Sequence, residues 1–247
     1  NNIHRFQGYG QFNDKMRDAL IKGGLNGVTS KGWVTNNSTV NGTDLTELIN
    51  GFKGITLTKE TDPSKSINYV TCHDNYTLYD RIRASGTTNE VLVKRMAMLA
   101  NSCVFTSQGI SFMLAGEEML RTKGGDSNSY ESSYAVNAID YTLKVKHMDM
   151  FNNYKALIAL KQNANVFGKD ATEIAQDMTV EKNDNGSLII IRVKDTLNKI
   201  EYVICHSNGV NGTKVVNLEG YTLYLDTLNQ SNLKLTAETT VSPYQTI

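Results

Sequence analysis

Residues Ile67 to Asp80 read Ile-Asn-Tyr-Val-Thr-Cys-His-Asp-Asn-Tyr-Thr-Leu-Tyr-Asp, a short apolar run that passes straight into His73, Asp74 and Asn75. A buried strand holds side chains rigidly, and polar residues at its carboxyl end sit where barrel enzymes and open α/β sheets bind ligands. Adjacent imidazole and carboxylate groups suit a polyol, with His73 donating to one hydroxyl and Asp74 accepting from its neighbours. On residue type alone the commoner outcomes are plainer: an aspartate capping a turn, and a half-buried histidine with its hydrogen bonds satisfied. Glu117 and Glu118 form the other conspicuous acidic pair. Adjacent residues point apart and cannot flank one scissile bond, so a catalytic pair is not expected there.

The elements that must position these groups follow from pattern. Asp14 to Lys22 reads as a short amphipathic helix closed by Gly23-Gly24, and Thr43-Asp44 as a second helix start for Leu45, Leu48 and Ile49. Residues 26–43, rich in Gly, Asn, Thr and Ser around the single Trp33, read as loop rather than a packed element. Ile67 to Thr71 is a strand, and Asn89 or Glu90 opens a long helix to about Thr106. Ile110 to Ala115 is a continuous apolar run, as a strand covered on both faces requires. The stretch 116–142 is too long and polar for a routine connector, and such loops are functional or disordered. Phe151, Tyr154, Leu157 and Ile158 mark a last helix ending near Gly168.

From about residue 172 the texture is β-branched. The runs Leu188 to Val193, Ile200 to His206, Tyr221 to Leu225 and Leu233 to Leu235 read as strands. Asn183-Asp184-Asn185-Gly186 and Asn208-Gly209 supply hairpin turn signals between them, because Asn and Gly tolerate positive φ. The expected class is α/β followed by all-β, the second part an antiparallel sandwich.

Composition narrows the partners. A net charge of zero with scattered basic residues leaves no electrostatic footprint for nucleic acid or an anionic membrane. No apolar run approaches the ~18 residues of a spanning helix. Cys72, Cys103 and Cys205 are odd in number and far apart, so no disulfide framework is expected. Without a Cys-x-x-Cys spacing or a His/Cys cluster, no structural zinc site is expected either. Met96, Met98, Met113, Met119, Met148 and Met150 read as core filling and call for no cofactor. Calcium stays possible but unassigned, since Asp-rich turns such as Asp184 lack the Asp-x-Asp-x-Asp-Gly loop. No Gly-x-Ser-x-Gly elbow supports a serine triad.

Several ordered stretches resemble type I pullulanases, the starch-debranching members of the α-amylase superfamily. Asn68-Tyr69-Val70 leading to His73-Asp74-Asn75 and Thr77-Leu78 is similar to the motif of that family's seventh strand. Leu99-Ala100-Asn101, Thr106 to Ile110 and Ala115-Gly116-Glu117-Glu118 with Leu120 to Lys123 resemble the seventh helix, eighth strand and following loop. Asn128-Ser129-Tyr130, Asn137 and Ile139-Asp140 resemble the sugar-binding loop, and Phe12-Asn13-Asp14 with Arg17-Asp18-Ala19 the segment after the strand bearing the general acid. Departures are Tyr79 for Trp, Ser111 for Pro and Tyr134 for an acidic residue.

The resemblance implies that residues 1–167 are the last strands and helices, about the sixth to the eighth, of a (β/α)8 barrel. Residues 168–247 would then be a carboxyl-terminal β-sandwich domain. It implies Asp74 as transition-state stabiliser, with His73, Asn75, Asn128, Tyr130, Asn137 and Asp140 as sugar contacts. Arg121 is expected to brace the eighth-strand loop through an ion pair. The nucleophile and general acid of a retaining endo-glycosidase acting on α-1,6-glucosidic links match no motif in this sequence. They are therefore expected on an upstream segment, present as a second chain, without which this chain is inactive. The alternatives are an isoamylase or glycogen-debranching type, or a non-catalytic glucan-binding fragment. Compartment, whether secreted or cytoplasmic, is left open.

Overall fold

The computed structural model describes residues 5–24, 26–35, 42–56, 62–230 and 233–247. Strand β1 (Gln11–Phe12) leads into helices α1 (Asp14–Ile21) and α2 (Gly42–Phe52) and then strand β2 (Ser66–Asn68). Helices α3 (Leu78–Ala84) and α4 (Glu90–Phe105) precede strand β3 (Ile110–Ser111). The three strands pair in parallel in chain order, as helical crossovers permit. Helix α1 starts where it does because the Asn13 side chain accepts from the Met16 N–H at 3.1 Å. Met16, Ala19 and Leu20 recur at helical spacing and are buried, and Lys22 closes the helix in the left-handed region. Ion pairs Lys22–Asp44 and Lys15–Glu47 tie α1 to α2.

A buried polar network fixes the root of β2. Asn13 donates to the Asn68 side chain at 2.9 Å, and Asn68 donates in turn to Ser107 Oγ at 2.8 Å and to the Gln108 carbonyl at 2.6 Å. Gln108 donates to the Val166 carbonyl and accepts from the Gly168 and Lys169 N–H groups. Each buried amide is thereby satisfied, the condition for such a network to rigidify a core.

Two strands are shorter than the apolar runs suggest. Pairing in β2 stops at Asn68, because β1 turns into α1 just after the Asn13 N–H bonds the Ile67 carbonyl. Tyr69, Val70 and Thr71 remain buried all the same. The run from Ile110 to Ala115 is a two-residue strand rather than a buried one: β3 has a single bonded neighbour among the described residues, and Ile110 is 50% exposed. Phe12 is likewise exposed, and its ring meets those of Tyr69 and Phe112 edge-on at 4.8 and 5.3 Å.

Beyond β3 come the short helices α5 (Tyr134–Asn137) and α6 (Thr142–Lys146), the long α7 (Met148–Asn163) and then α8 (Ala171–Asp177). Helix α8 replaces the extended texture expected from residue 172. A reciprocal capping box between Asp170 and Glu173 nucleates it, a signature visible in the sequence. Met148 is exposed at the start of α7, unlike the buried Met96, Met98, Met119 and Met150.

The remainder is antiparallel. Strands β4 (Met178–Lys182), β5 (Leu188–Asp195) and β6 (Ile200–Ser207) form a meander, with β7 (Lys214–Val216) pairing β8 (Thr239–Val241), and β9 (Gln245–Thr246) adding to β6. Asn183 to Gly186 makes the β4–β5 hairpin, with Gly186 at φ 67°. Asn208-Gly209 makes no hairpin; Asn208 is buried and donates to the Trp33 carbonyl at 3.2 Å. Tyr221 to Leu225 and Leu233 to Leu235 are not strands. Tyr221, Leu233 and Leu235 instead pack on the cluster of Leu188, Cys205, Val216, Leu218, Val241 and Ile247, so their apolarity covers a sheet without extending it.

The main core runs without a break from Met16 through Leu99 and Leu157 to Ile191 and Tyr244. Trp33 belongs to it, contrary to the loop reading of 26–43, of which residues 36–41 lie outside the described residues. Gly32 lets this happen: a Cβ there would come within 2.4 Å of the Leu20 backbone, and the close approach lets the Trp33 N–H bond the Ala19 carbonyl. His206, stacked on Phe52, bridges Thr106 and Thr246 at 2.9 Å each, and burial pushes its pKa down to about 3, so it is neutral.

Candidate functional site

Beyond β2 the chain carries Thr71 buried, Cys72 half-buried, and His73 and Asp74 out in solvent, their side chains 84% and 72% exposed. Asn75 takes φ 63°, a conformation asparagine tolerates, and turns the chain into α3, which Thr77 caps by accepting from the Asp80 N–H. His73 Nε2 lies 3.4 Å from Asp74 Oδ1, so the two polar groups stand side by side in the turn that follows β2.

Buried polar groups hold this turn from three sides. Arg81 is 3% exposed and donates to the carbonyls of Ile21, Gly27, Val28 and Ser30, fixing the loop after α1. Asp80 accepts from Thr122 Oγ1 at 2.6 Å and the Lys123 N–H at 2.8 Å, and Lys123 Nζ donates to the His73 carbonyl at 3.2 Å. Thr71 Oγ1 donates to Glu117, whose other oxygen accepts from Asn101 at 3.0 Å; Asn101 also bonds the Tyr154 hydroxyl. The loop after β3 is thus a scaffold for the His73–Asp74 turn.

Asp74 and Asn75 line a small cleft with Arg17, Tyr69, Cys72 and Tyr76. At its wall Tyr69 donates to Asp14 at 2.5 Å, while Arg17 pairs with Asp14 and Asp18. Burial and the bond to Asp14 push the Tyr69 phenol far up, so it stays a neutral donor. Asn128, Tyr130, Asn137 and Asp140 do not line that cleft. Asn137 is held within its own loop, accepting from Ser129 Oγ and donating to the Ser129 and Ser132 carbonyls. Asp140 caps Thr142, which lowers its pKa; Asn128 receives backbone support from Asp126, and Tyr130 stands exposed. Residues 116–142 are therefore an ordered scaffold of turns. Arg121 braces it through the Ala115 and Asn137 carbonyls, and not through an ion pair among the described residues.

Residue type alone did not disclose Glu117. Burial pushes its carboxyl up to about 7, with the Thr71 and Asn101 bonds opposing. The folded chain holds that proton up to about pH 7, whereas the unfolded chain releases it near the ordinary 4.5. Between those values the folded state binds more protons, so this group's contribution to stability is full below 4.5 and is lost as pH rises through 7, up to about 3 kcal/mol in all. Glu117→Gln removes that loss. Urea denaturation at pH 5 and pH 8 is expected to show the variant gaining on the parent as pH rises, and parallel responses of the two would refute the assignment.

No protein-family model matches the chain. The pullulanase of Bacillus subtilis strain 168 is 32% identical over 167 residues, 65% of this chain and 23% of that protein. The solved pullulanase from Bacillus acidopullulyticus superposes with a TM-score of 0.83 at 31% identity, covering 97% of this chain and 30% of its own. A Paenibacillus barengoltzii pullulanase, solved with maltohexaose and alpha-cyclodextrin, gives a TM-score of 0.82 at 28% identity over 99% of this chain and 39% of its own. The chain spans between 23% and 39% of the length of these relatives. Pullulanases are thus among its relatives in both sequence and structure, consistent with the carboxyl-terminal portion of such a protein, as the resemblance implied. No helix among the described residues is long and apolar enough to cross a membrane.

Proposed function

We propose that this pullulanase relative is the carboxyl-terminal part of a retaining, endo-acting debranching glycosidase that cuts α-1,6-glucosidic links in pullulan, starch or glycogen-derived dextrins. The observation that carries the reading is the side-by-side pair His73 and Asp74, presented in solvent in the turn that follows a parallel strand, in a chain with pullulanases among its relatives. Asp74 accepts hydrogen bonds from two sugar hydroxyls and tightens them as the ring flattens toward an oxocarbenium-like transition state. His73 donates to an adjacent hydroxyl, and Asn75, Asn128, Tyr130, Asn137 and Asp140 complete the sugar contacts. No metal or cofactor takes part in this scheme.

Residues 1–167 are read as the closing part of a (β/α)8 barrel and 168–247 as a β-sandwich domain. The sequential parallel order of β1, β2 and β3 supports the first, and the two antiparallel sheets sharing an apolar cluster support the second. The nucleophile and acid come from an amino-terminal portion of the same enzyme, supplied as a separate chain. Such a partner also suits the edge positions of β1 and β3 in the three-stranded sheet and the exposed Phe12 and Ile110, which a closed barrel would cover.

Product analysis on pullulan tests the whole reading. Maltotriose as the main product, from the chain together with its amino-terminal portion and not from the chain alone, is the expected result. Intact pullulan beside debranched amylopectin would move the assignment to an isoamylase type, and glucan binding without turnover would make the chain a binding fragment.

A further inference from the structure

Three consecutive side chains in a strand point to alternating faces. At the end of β2 the backbone leaves the extended conformation, and Cys72, His73 and Asp74 converge instead: Sγ, a ring nitrogen and a carboxylate oxygen all lie within 4.8 Å of one another. We infer that these three residues form a binding site for a thiophilic divalent metal ion, zinc in the first place.

The donor set fits that ion. A thiolate, an imidazole and a carboxylate are the ligand types zinc takes, with bonds of about 2.0–2.1 Å to N and O and about 2.3 Å to S. A tetrahedron with such bonds has an N-to-O edge of about 3.3 Å. The observed separation of His73 Nε2 and Asp74 Oδ1 is 3.4 Å, so two of the three donors already stand at the required spacing. The half-buried Cys72 supplies the third donor, its Sγ within 4.8 Å of the other two. The charges balance: one thiolate and one carboxylate neutralise the dication, and the thiol proton is released to water as the metal–sulfur bond forms. The fourth position remains open to solvent. The absence of a His/Cys cluster assumed from sequence spacing is thereby corrected, since Cys72 and His73 are adjacent in the chain and near in space. Hard cations such as calcium are not served, because a sulfur and a nitrogen make two of three donors.

One consequence rests on the function proposed above: a metal held by His73 and Asp74 occupies the groups assigned to sugar, so metal and glucan exclude each other. The site itself does not depend on that assignment.

Cobalt(II) titration of the purified protein reads the thiolate directly, through a sulfur-to-cobalt absorption in the near ultraviolet. Cys103 and Cys205 are buried and their thiols are pushed well up in pKa, so the band reports Cys72. The expected result is a saturable band displaced by zinc, absent in Cys72→Ser, with zinc affinity falling at least about tenfold in His73→Ala. Zinc should also protect Cys72 from iodoacetamide in the unaltered protein, a readout needing no variant. A missing band, one that persists in Cys72→Ser, or alkylation indifferent to zinc overturns the site. If maltotriose weakens cobalt binding, both assignments gain; cobalt binding that maltotriose leaves unchanged supports the metal site while removing the sugar role of this pair.

Discussion

Asp74→Asn is expected to lower kcat on pullulan about 10³-fold, roughly 4 kcal/mol of transition-state stabilisation, in the assembly that carries the nucleophile and acid. The substitution keeps the shape of the side chain and removes its charge. An amide still meets one hydroxyl in the ground state, but it cannot supply the negative charge that strengthens as the ring becomes cationic. KM should therefore change little while kcat collapses. Stability should stay within about 0.5 kcal/mol of the parent, because the side chain is exposed and makes no buried contact. Kinetics on pullulan beside a urea melt separate the two quantities. Activity within tenfold of the parent would remove Asp74 from the chemistry, and equal losses in kcat and stability would mark it as a structural residue.

Trp33→Ala should produce the largest loss of stability, about 3–5 kcal/mol. The indole is 1% exposed, and it is the chain's only tryptophan. Its Nε1 donates to the Gly186 carbonyl at 2.6 Å, in the hairpin between β4 and β5, and its own carbonyl accepts from Asn208. Truncation thus opens a cavity between the α/β and antiparallel regions and leaves a buried carbonyl unpaired. Trp33→Phe retains much of the volume and loses the hydrogen bond, so it should cost less than half as much. Circular dichroism during urea denaturation measures both, since the variants lack tryptophan fluorescence. A cost below about 1 kcal/mol for the alanine variant would mean that Trp33 does not join the two regions.

Local patterns in the sequence were sufficient for much of this molecule. Asn13, Asn89 and Asp170 each cap a helix through contacts no more than three residues away. The Asn183 to Gly186 turn needs only a left-handed glycine, and the apolar run before His73 was enough to locate the strand-end site. These features depend on dihedral preferences and short-range hydrogen bonds, which neighbouring residues carry with them.

Other outcomes depended on partners distant in the chain. Asn208-Gly209 has the composition of a hairpin, yet Asn208 is spent on Trp33, 175 residues away. Tyr221 to Leu225 is as apolar as a strand, yet it lies outside every ladder, and Tyr221 packs over the sheet. Glu117 looks like any loop carboxylate until Thr71 and Asn101 enclose it, and only desolvation in that enclosure makes it titrate near neutrality. The sequence by itself determined the helices α1, α2, α4 and α7, the turn from Asn183 to Gly186 and the polar residues that follow β2. The tertiary structure decided which polar groups are buried, which apolar segments form ladders and whether Cys72 meets His73 and Asp74. Burial and convergence are properties of the space between segments, and no pattern of near neighbours encodes that space.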